Sequence, residues 1–403
     1  MPPRPIDLAV VGAGLAGGLI ALAMRRRRPD LRTVLIERDA RLGGNHVWSF
    51  FASDIAPADQ ALVEPLIVAR WDGYGVRFPD FARRLGTPYR SVTGSRLDAV
   101  LREHMPAADI LTGVAVRAVE PFRVALADGS FVEAGAVIDA RGAGSLPAMA
   151  GGWQKFLGQM VRLVHPHGLT EPLVMDATVS QHDGFRFIYA LPFTPDTIFL
   201  EDTYYSDDST LDAPLLRNRI ADYAAAQGWT IAAIEYEETG VLPVIAKGDL
   251  DRYLAATAGD CAPATARAGT RAPLLHPLTS YSFPDAVRFA SYVSTLDNIS
   301  GTSLGRTSHA WVAHHWRAGA FYRMLTRMLF GAARPDDRWR VLQRFYTLRQ
   351  PLIERFYAGR STGADKLRIL AGRPPVPLAA ACASLAGQGR PLADLGRPNG
   401  PAQ

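Results

Sequence analysis

The chain has 403 residues, 48% hydrophobic and 21% charged, with a formal net charge of +5 supplied almost entirely by arginine. That size supports two or three domains with substantial cores, and the mild positive charge suits an anionic surface such as a membrane without implying nucleic acid. The two cysteines, Cys261 and Cys382, lie far apart with no C-x-x-C spacing, which points to a reducing cytosol and away from a disulfide framework.

The first stretch, "IDLAVVGAGLAGGLIALAM" followed by "RRRR", imitates a membrane anchor. Asp7 and a cluster of glycines interrupt it, and no cleavage site follows. It reads better as an apolar strand from Ile6 to Val11, then Gly12, Gly14 and Gly17 in a G-x-G-x-x-G turn, then an amphipathic helix to about Arg28. A second strand, "TVLIE", ends at Glu37, 20 residues past Gly17. The glycines permit a tight turn, close approach of a pyrophosphate and close helix–strand packing. The helix N-terminus favours phosphate charge, and the acid can bind a ribose hydroxyl pair. Arg25–Arg28 reads as a solvated helix end that complements the dipole, with a lipid contact as the alternative. No other segment has the length and apolarity of a membrane span.

Further along, "SVTGSRLDAVLREHM" is an amphipathic helix, and "RVALADGSFVEAGAVIDARG" is a hairpin turning at Asp128-Gly129 followed by a buried strand "AVIDA". "GFRFIYALPF" alternates Phe185, Phe187 and Tyr189 on one face, as sheet core or as the wall of an apolar tunnel. In "TIFLEDTYYSDD" an apolar strand runs into Glu201 and Asp202. Alternation puts Phe199, Glu201, Thr203 and Tyr205 on one face and Ile198, Leu200, Asp202 and Tyr204 on the other. The residues alone leave two readings: a solvated pair at a strand end, or acids at the mouth of an apolar site whose burial and mutual repulsion hold a proton. Asp183, Glu237 and Glu238 are further acids that could support such a site. The pairs His165/His167 and His314/His315 lack zinc-site spacing, so no metal is expected. "AGAFYRMLTRMLF" places Phe321, Leu325, Met328 and Leu329 at helical spacing, either as an interfacial helix or facing the core. "GQGRPLADLGRPNGPAQ" reads as a disordered tail.

Several of these stretches resemble flavoproteins. Glu37, Arg38 and the Gly43-Gly44 pair are similar to an E-R-x-x-x-x-G-G continuation that favours FAD over NAD. Asp139 and Gly142 stand where a second FAD-associated strand ends, and Arg96 resembles a flavin-contacting arginine of the aromatic-hydroxylase-like group, a surface ion-pairing arginine being the alternative. More specifically, "GGNHVWSFF", "WQKFLGQMVRL", "PLVMDATVSQHDGFRFIYALPF", "FLEDTYYSD", "GVLPV" and "DKLRILAGRPPVPL" resemble, in that order, blocks of the bacterial lycopene β-cyclases. "GTRAPLLHPLTSYS" is similar to that family's return to the flavin: Gly269, Arg271, His276, Pro277, Thr279 and Tyr281 match. Pro273 and Ser280 stand where glycine is expected, and proline offers no amide hydrogen.

The resemblance implies an α/β fold: a Rossmann-like FAD domain over residues 1–150 with a small insertion at about 51–90, and a substrate-binding sheet over 151–250. A return segment at 251–320, C-terminal helices over 321–385 that could touch a membrane, and a disordered tail at 386–403 would complete it. It implies a non-redox, proton-initiated closure of the linear ends of lycopene and related acyclic carotenoids to β-rings. Reduced FAD would assist, its electrons coming ultimately from NAD(P)H. The enzyme would be cytoplasmic and peripheral to the inner membrane. It makes Glu201 the general acid and Asp202 its orienter or charge partner. Gly12, Gly14, Gly17, Glu37, Arg38, Gly44, Arg96, Asp139, Gly142, His276 and Pro277 would bind the flavin. The rival expectations are a redox flavoenzyme of the same fold, a hydroxylase or polyprenyl reductase, and a non-catalytic, membrane-docked flavin-binding protein.

Overall fold

The computed structural model describes residues 5–182, 184–371, 376–387 and 389–392. Asp183 and, of the expected tail, residues 388 and 393–403 lie outside them, while Leu392 is buried and Pro391 pairs with Ala150. The N-terminal pattern builds a five-stranded parallel sheet in the order Ala266–Arg267, Ala136–Asp139, Leu8–Val11, Thr33–Ile36, Ile110–Leu111. Its central strands are buried on both faces, as near-continuous runs such as "LAVV" and "TVLI" require. One face carries the helices Leu15–Arg27 and Phe283–Ser294; the other is covered by an antiparallel meander, Val116–Glu120, Arg123–Leu126 and Phe131–Glu133.

A second, seven-stranded sheet runs in the order Ile231–Gly248, Met149–Leu163, Thr197–Ser206, Phe185–Pro192, Leu173–Asp176, Tyr74–Phe78, Phe81–Leu85. Its last two strands come from the segment expected as an insertion of the nucleotide domain, so the two sheets exchange chain. Strand Thr197–Ser206 does not end at its acids, which sit in its middle. Side-chain alternation therefore holds through them. Phe199 and Tyr205 join a core shared with the C-terminal helices, whereas Ile198, Leu200 and Tyr204 pack under helix Ala213–Ala226. A small sheet, Val47–Phe51, Tyr89–Thr93 and Ile67–Trp71, bridges the two large ones.

Two readings are sharpened in the fold. The arginines at the end of the nucleotide helix, Arg25 and Arg26 exposed and Arg27 and Arg28 half-buried, also clamp their neighbours. Arg25 donates to the His104 carbonyl, Arg26 to that of Ala61, Arg27 to Ser291 and Ser294, and Arg28 to the Leu296 carbonyl. Guanidinium forks satisfy orphan carbonyls at the ends of adjacent helices better than water can hold those ends together. Helix Ala320–Ala332 is core-facing: Tyr322 and Leu329 are buried, and Phe321 and Leu325 pack against the same cluster. Among the described residues no helix is long and apolar enough to cross a membrane.

Asp54 is a local fault in this packing. It is 2% exposed, and neither carboxyl oxygen has a well-formed hydrogen bond among the described residues. Burial pushes its pKa up to about 7 despite the nearby Arg288. The folded state thus holds a proton that the unfolded chain releases near pH 4, so stability is lost as pH rises from about 4 to about 7. Asp54→Asn, which imitates the protonated form, is expected to recover on the order of 2–4 kcal/mol at pH 8 and nothing at pH 4. Melting temperatures of both proteins across that range test it.

Candidate active site

The turn after Leu8–Val11 shows why its three glycines are needed. Gly12 has φ 96°, and a Cβ there would lie 2.7 Å from the Ala140 carbonyl oxygen. A Cβ on Gly17 would fall 1.9 Å from the Gly12 carbonyl oxygen, so helix and turn are in direct backbone contact. Gly14 meets nothing within 4 Å. It is the N-cap of helix Leu15–Arg27 and has no side-chain cap, so the first helical amides face open space beside a bare backbone. That is a cradle for a diphosphate. Glu37 closes it: Oε2 accepts the Ala13 amide at 2.6 Å and Oε1 the Asp39 amide at 3.2 Å. Gly44 (φ 62°) and Gly142 (φ 81°) bring further bare backbone to the same space.

That space is a cavity of about 730 Å³. It runs from Gly12, Gly14, Glu37 and Arg38, past Gly44 and Gly142, to the face of the seven-stranded sheet that carries Phe199 and Glu201. A pocket of this reach, with glycine backbone at one end and Trp48, Phe156, Tyr189 and Phe199 at the other, fits a dinucleotide with an apolar molecule beside it.

Glu201 lies in a row of residues in lateral register across four strands. Tyr189 pairs with Glu201, Glu201 with Gly158, and Gly158 with Glu238. Residues so paired share a face. A side chain on Gly158 would collide with the Phe199 ring, 2.3 Å from its Cβ, so that ring fills the gap between the two acids. Glu201 accepts a hydrogen bond from the Thr203 hydroxyl. Burial, then the Glu238 charge, raises its pKa to about 8, with Asp202 a smaller contributor. Glu238 is 3% exposed; it accepts the Val47 amide and contacts His46 Nδ1 at 3.2 Å. Tyr189 and Tyr281 exchange a hydroxyl hydrogen bond of 3.1 Å, and burial raises both phenols well above their usual range.

The other expected site residues stand away from the cavity. Asp202 is fully buried on the opposite face, where Arg186 binds it at 2.8–3.0 Å through two nitrogens. Its neighbour in sequence is not its neighbour in space, and Glu238 occupies the place beside Glu201. Arg96 donates to the Pro65 carbonyl at 2.7 Å. Asp139 is held by Arg141 and Arg271. His276 accepts the Leu278 and Thr279 amides at 3.3 Å and bonds the Phe356 carbonyl, fixing the turn that contains Pro277. In the same loop Pro273 (φ 21°) and Ser280 (φ 56°), the two departures from glycine, both have positive φ. Ser280 offsets its strain by donating to the Pro243 carbonyl at 2.7 Å.

Residues 7–383 match the family described as "Lycopene cyclase protein". A lycopene beta-cyclase of Pseudescherichia vulneris is 46% identical over 92% of this chain and 95% of its own length. That of Pantoea ananas is 44% identical over 93% and 96%. Among solved structures, a geranylgeranyl bacteriochlorophyll reductase-like protein of Thermoplasma acidophilum superposes with TM-score 0.57 at 13% identity, covering 92% of this chain and 97% of that one. The flavin-dependent brominase Bmp2 gives 0.58 at 14%, covering 88% and 94%. At such identity these two establish the fold.

Proposed function

The chain belongs to the lycopene cyclase family, and we propose that it closes the linear ends of lycopene into β-rings at the cavity that joins Glu201 to the glycine cradle. The observation that carries this is the position of Glu201, a half-buried carboxyl among aromatic rings in the same space as a dinucleotide cradle.

The cradle fits FAD. The backbone at Gly12 and Gly14 with the helix amides would take the diphosphate and Glu37 the ribose, while Gly44 and Gly142 would let the flavin approach. When bound in reduced form, FAD supplies an electron-rich ring system beside the site. The protein's own part is proton transfer. Glu201 protonates the terminal double bond of the substrate; an internal double bond attacks the resulting tertiary cation; loss of a proton completes the β-ring. Tyr189, Phe199 and Phe156 present π-faces to the cation, each contributing on the order of 0.5–2 kcal/mol, and exclude the water that would quench it. Because Glu201 titrates at about 8, its donor form dominates at neutral pH, and turnover is expected to fall as pH rises past about 8.

We place substrate pick-up at a membrane surface, because a long polyene hydrocarbon is nearly insoluble in water. The decisive experiment is anaerobic: purified protein, reduced FAD and lycopene in vesicles, with products weighed by mass spectrometry. Cyclic product of unchanged mass without stoichiometric consumption of reductant is expected. A change of mass, or one reductant used per product, identifies a redox enzyme instead.

A further inference from the structure

Building on that reading of Glu201, we propose that Glu201 and Glu238 act as a carboxyl pair carrying a single proton, with Glu238 the ionised positioning member and His46 its link to solvent. The register places the two side chains on one face with Gly158 between them in the backbone and the Phe199 ring over it, roughly 10 Å apart at the backbone given two inter-strand spacings. Both line the same cavity. Two carboxyls on one face of a poorly solvated cavity repel each other when both are charged, so ionisation of one favours retention of the proton by the other.

The surroundings decide which member keeps it. Burial raises the pKa of Glu238 as well, but the Val47 amide and the His46 imidazole both draw it back towards the anion, and Glu201 has no equivalent of the imidazole. Glu201 has a hydroxyl from Thr203, and no cation contacts it among the described residues. The other titratable groups facing the pair are phenols: Tyr189 and Tyr89 towards Glu201, and Tyr236 towards Glu238. Burial keeps all three neutral. Asp202 contributes from the far face, where Arg186 offsets it. The His46 side chain is 48% exposed, so it joins a buried carboxylate to bulk water. Proton balance is simple. The Glu201 O–H breaks as the substrate C–H forms, and the proton shed on ring closure returns to the pair.

The test compares pH–rate profiles of holoenzymes carrying Glu238→Gln, Glu238→Asp and Glu201→Gln with the parent. Removing the Glu238 charge should move the alkaline fall of turnover to lower pH by about one unit. The rate would then be near the parent's at pH 6 and about fivefold lower at pH 8. Glu238→Asp, which keeps the charge, should leave the fall in place. A Glu238→Gln profile that does not move, or one lowered equally at every pH, overturns the pair. So does a shift produced equally by Glu238→Asp. An active Glu201→Gln overturns the reading of Glu201 itself, whereas an inactive one with an unmoved Glu238→Gln profile removes the pair alone.

Discussion

Glu201→Gln is expected to lower cyclisation by about 10²–10⁴-fold, the range that a positioned general acid contributes. Bound flavin and melting temperature should stay close to the parent's. The substitution keeps the shape of the side chain and its contact with Thr203, while removing the proton held by a cavity-facing carboxyl that titrates at about 8. The tyrosines that share the space hold their protons far too tightly to replace it. Product formation from lycopene in vesicles, normalised to flavin content, measures the effect. Activity within tenfold of the parent would remove Glu201 from the chemistry.

Asp202→Ala, one residue along, should fail in a different way. It leaves the Arg186 guanidinium, 7% exposed at its side chain, without its partner in the sheet interior. Breaking a buried pair on one side costs about 3–5 kcal/mol. We therefore expect a large fall in the denaturation midpoint, with activity per folded molecule far less affected than in Glu201→Gln. Replacing both partners, Asp202→Leu with Arg186→Met, should recover much of the stability, because the penalty belongs to the orphaned charge. Urea titration of the three proteins checks this. A single substitution that leaves the midpoint unchanged would show that the pair is not bearing on the fold.

The two expectations together show what the sequence could reveal. Strand, glycine turn, helix and second strand are local features, so Gly12, Gly14, Gly17 and Glu37 were legible from spacing alone. The separation of Glu201 from Asp202 was legible too, since alternation is a property of one strand. Glu238 could be listed as an acid but not placed, because its relation to Glu201 exists only through the register of three strands far apart in sequence. Gly158 was the available signal: a glycine inside a long apolar strand marks a close approach, here by the Phe199 ring. Arg96, Asp139 and His276 resemble flavin contacts by position in a motif, yet their side chains hold neighbouring backbone or ion pairs. A motif preserves where a residue stands in the chain; which way it points depends on partners that no local pattern contains.

The exchange of chain between the two sheets bears on how the protein can be assembled. Strands Tyr74–Phe78 and Phe81–Leu85 emerge early in synthesis as a hairpin, but the strand that joins the first of them to the sheet is Leu173–Asp176, and the far edge arrives only with Ile231–Gly248. Until then the early hairpin has an open edge and an uncovered apolar face. The nucleotide-binding part thus cannot mature as a free-standing unit ahead of the rest, and a fragment ending near residue 150 would carry an unpaired strand prone to aggregate. The parallel sheet likewise gains its last strand, Ala266–Arg267, only after the seven-stranded sheet is complete, so each sheet depends on chain that follows the other.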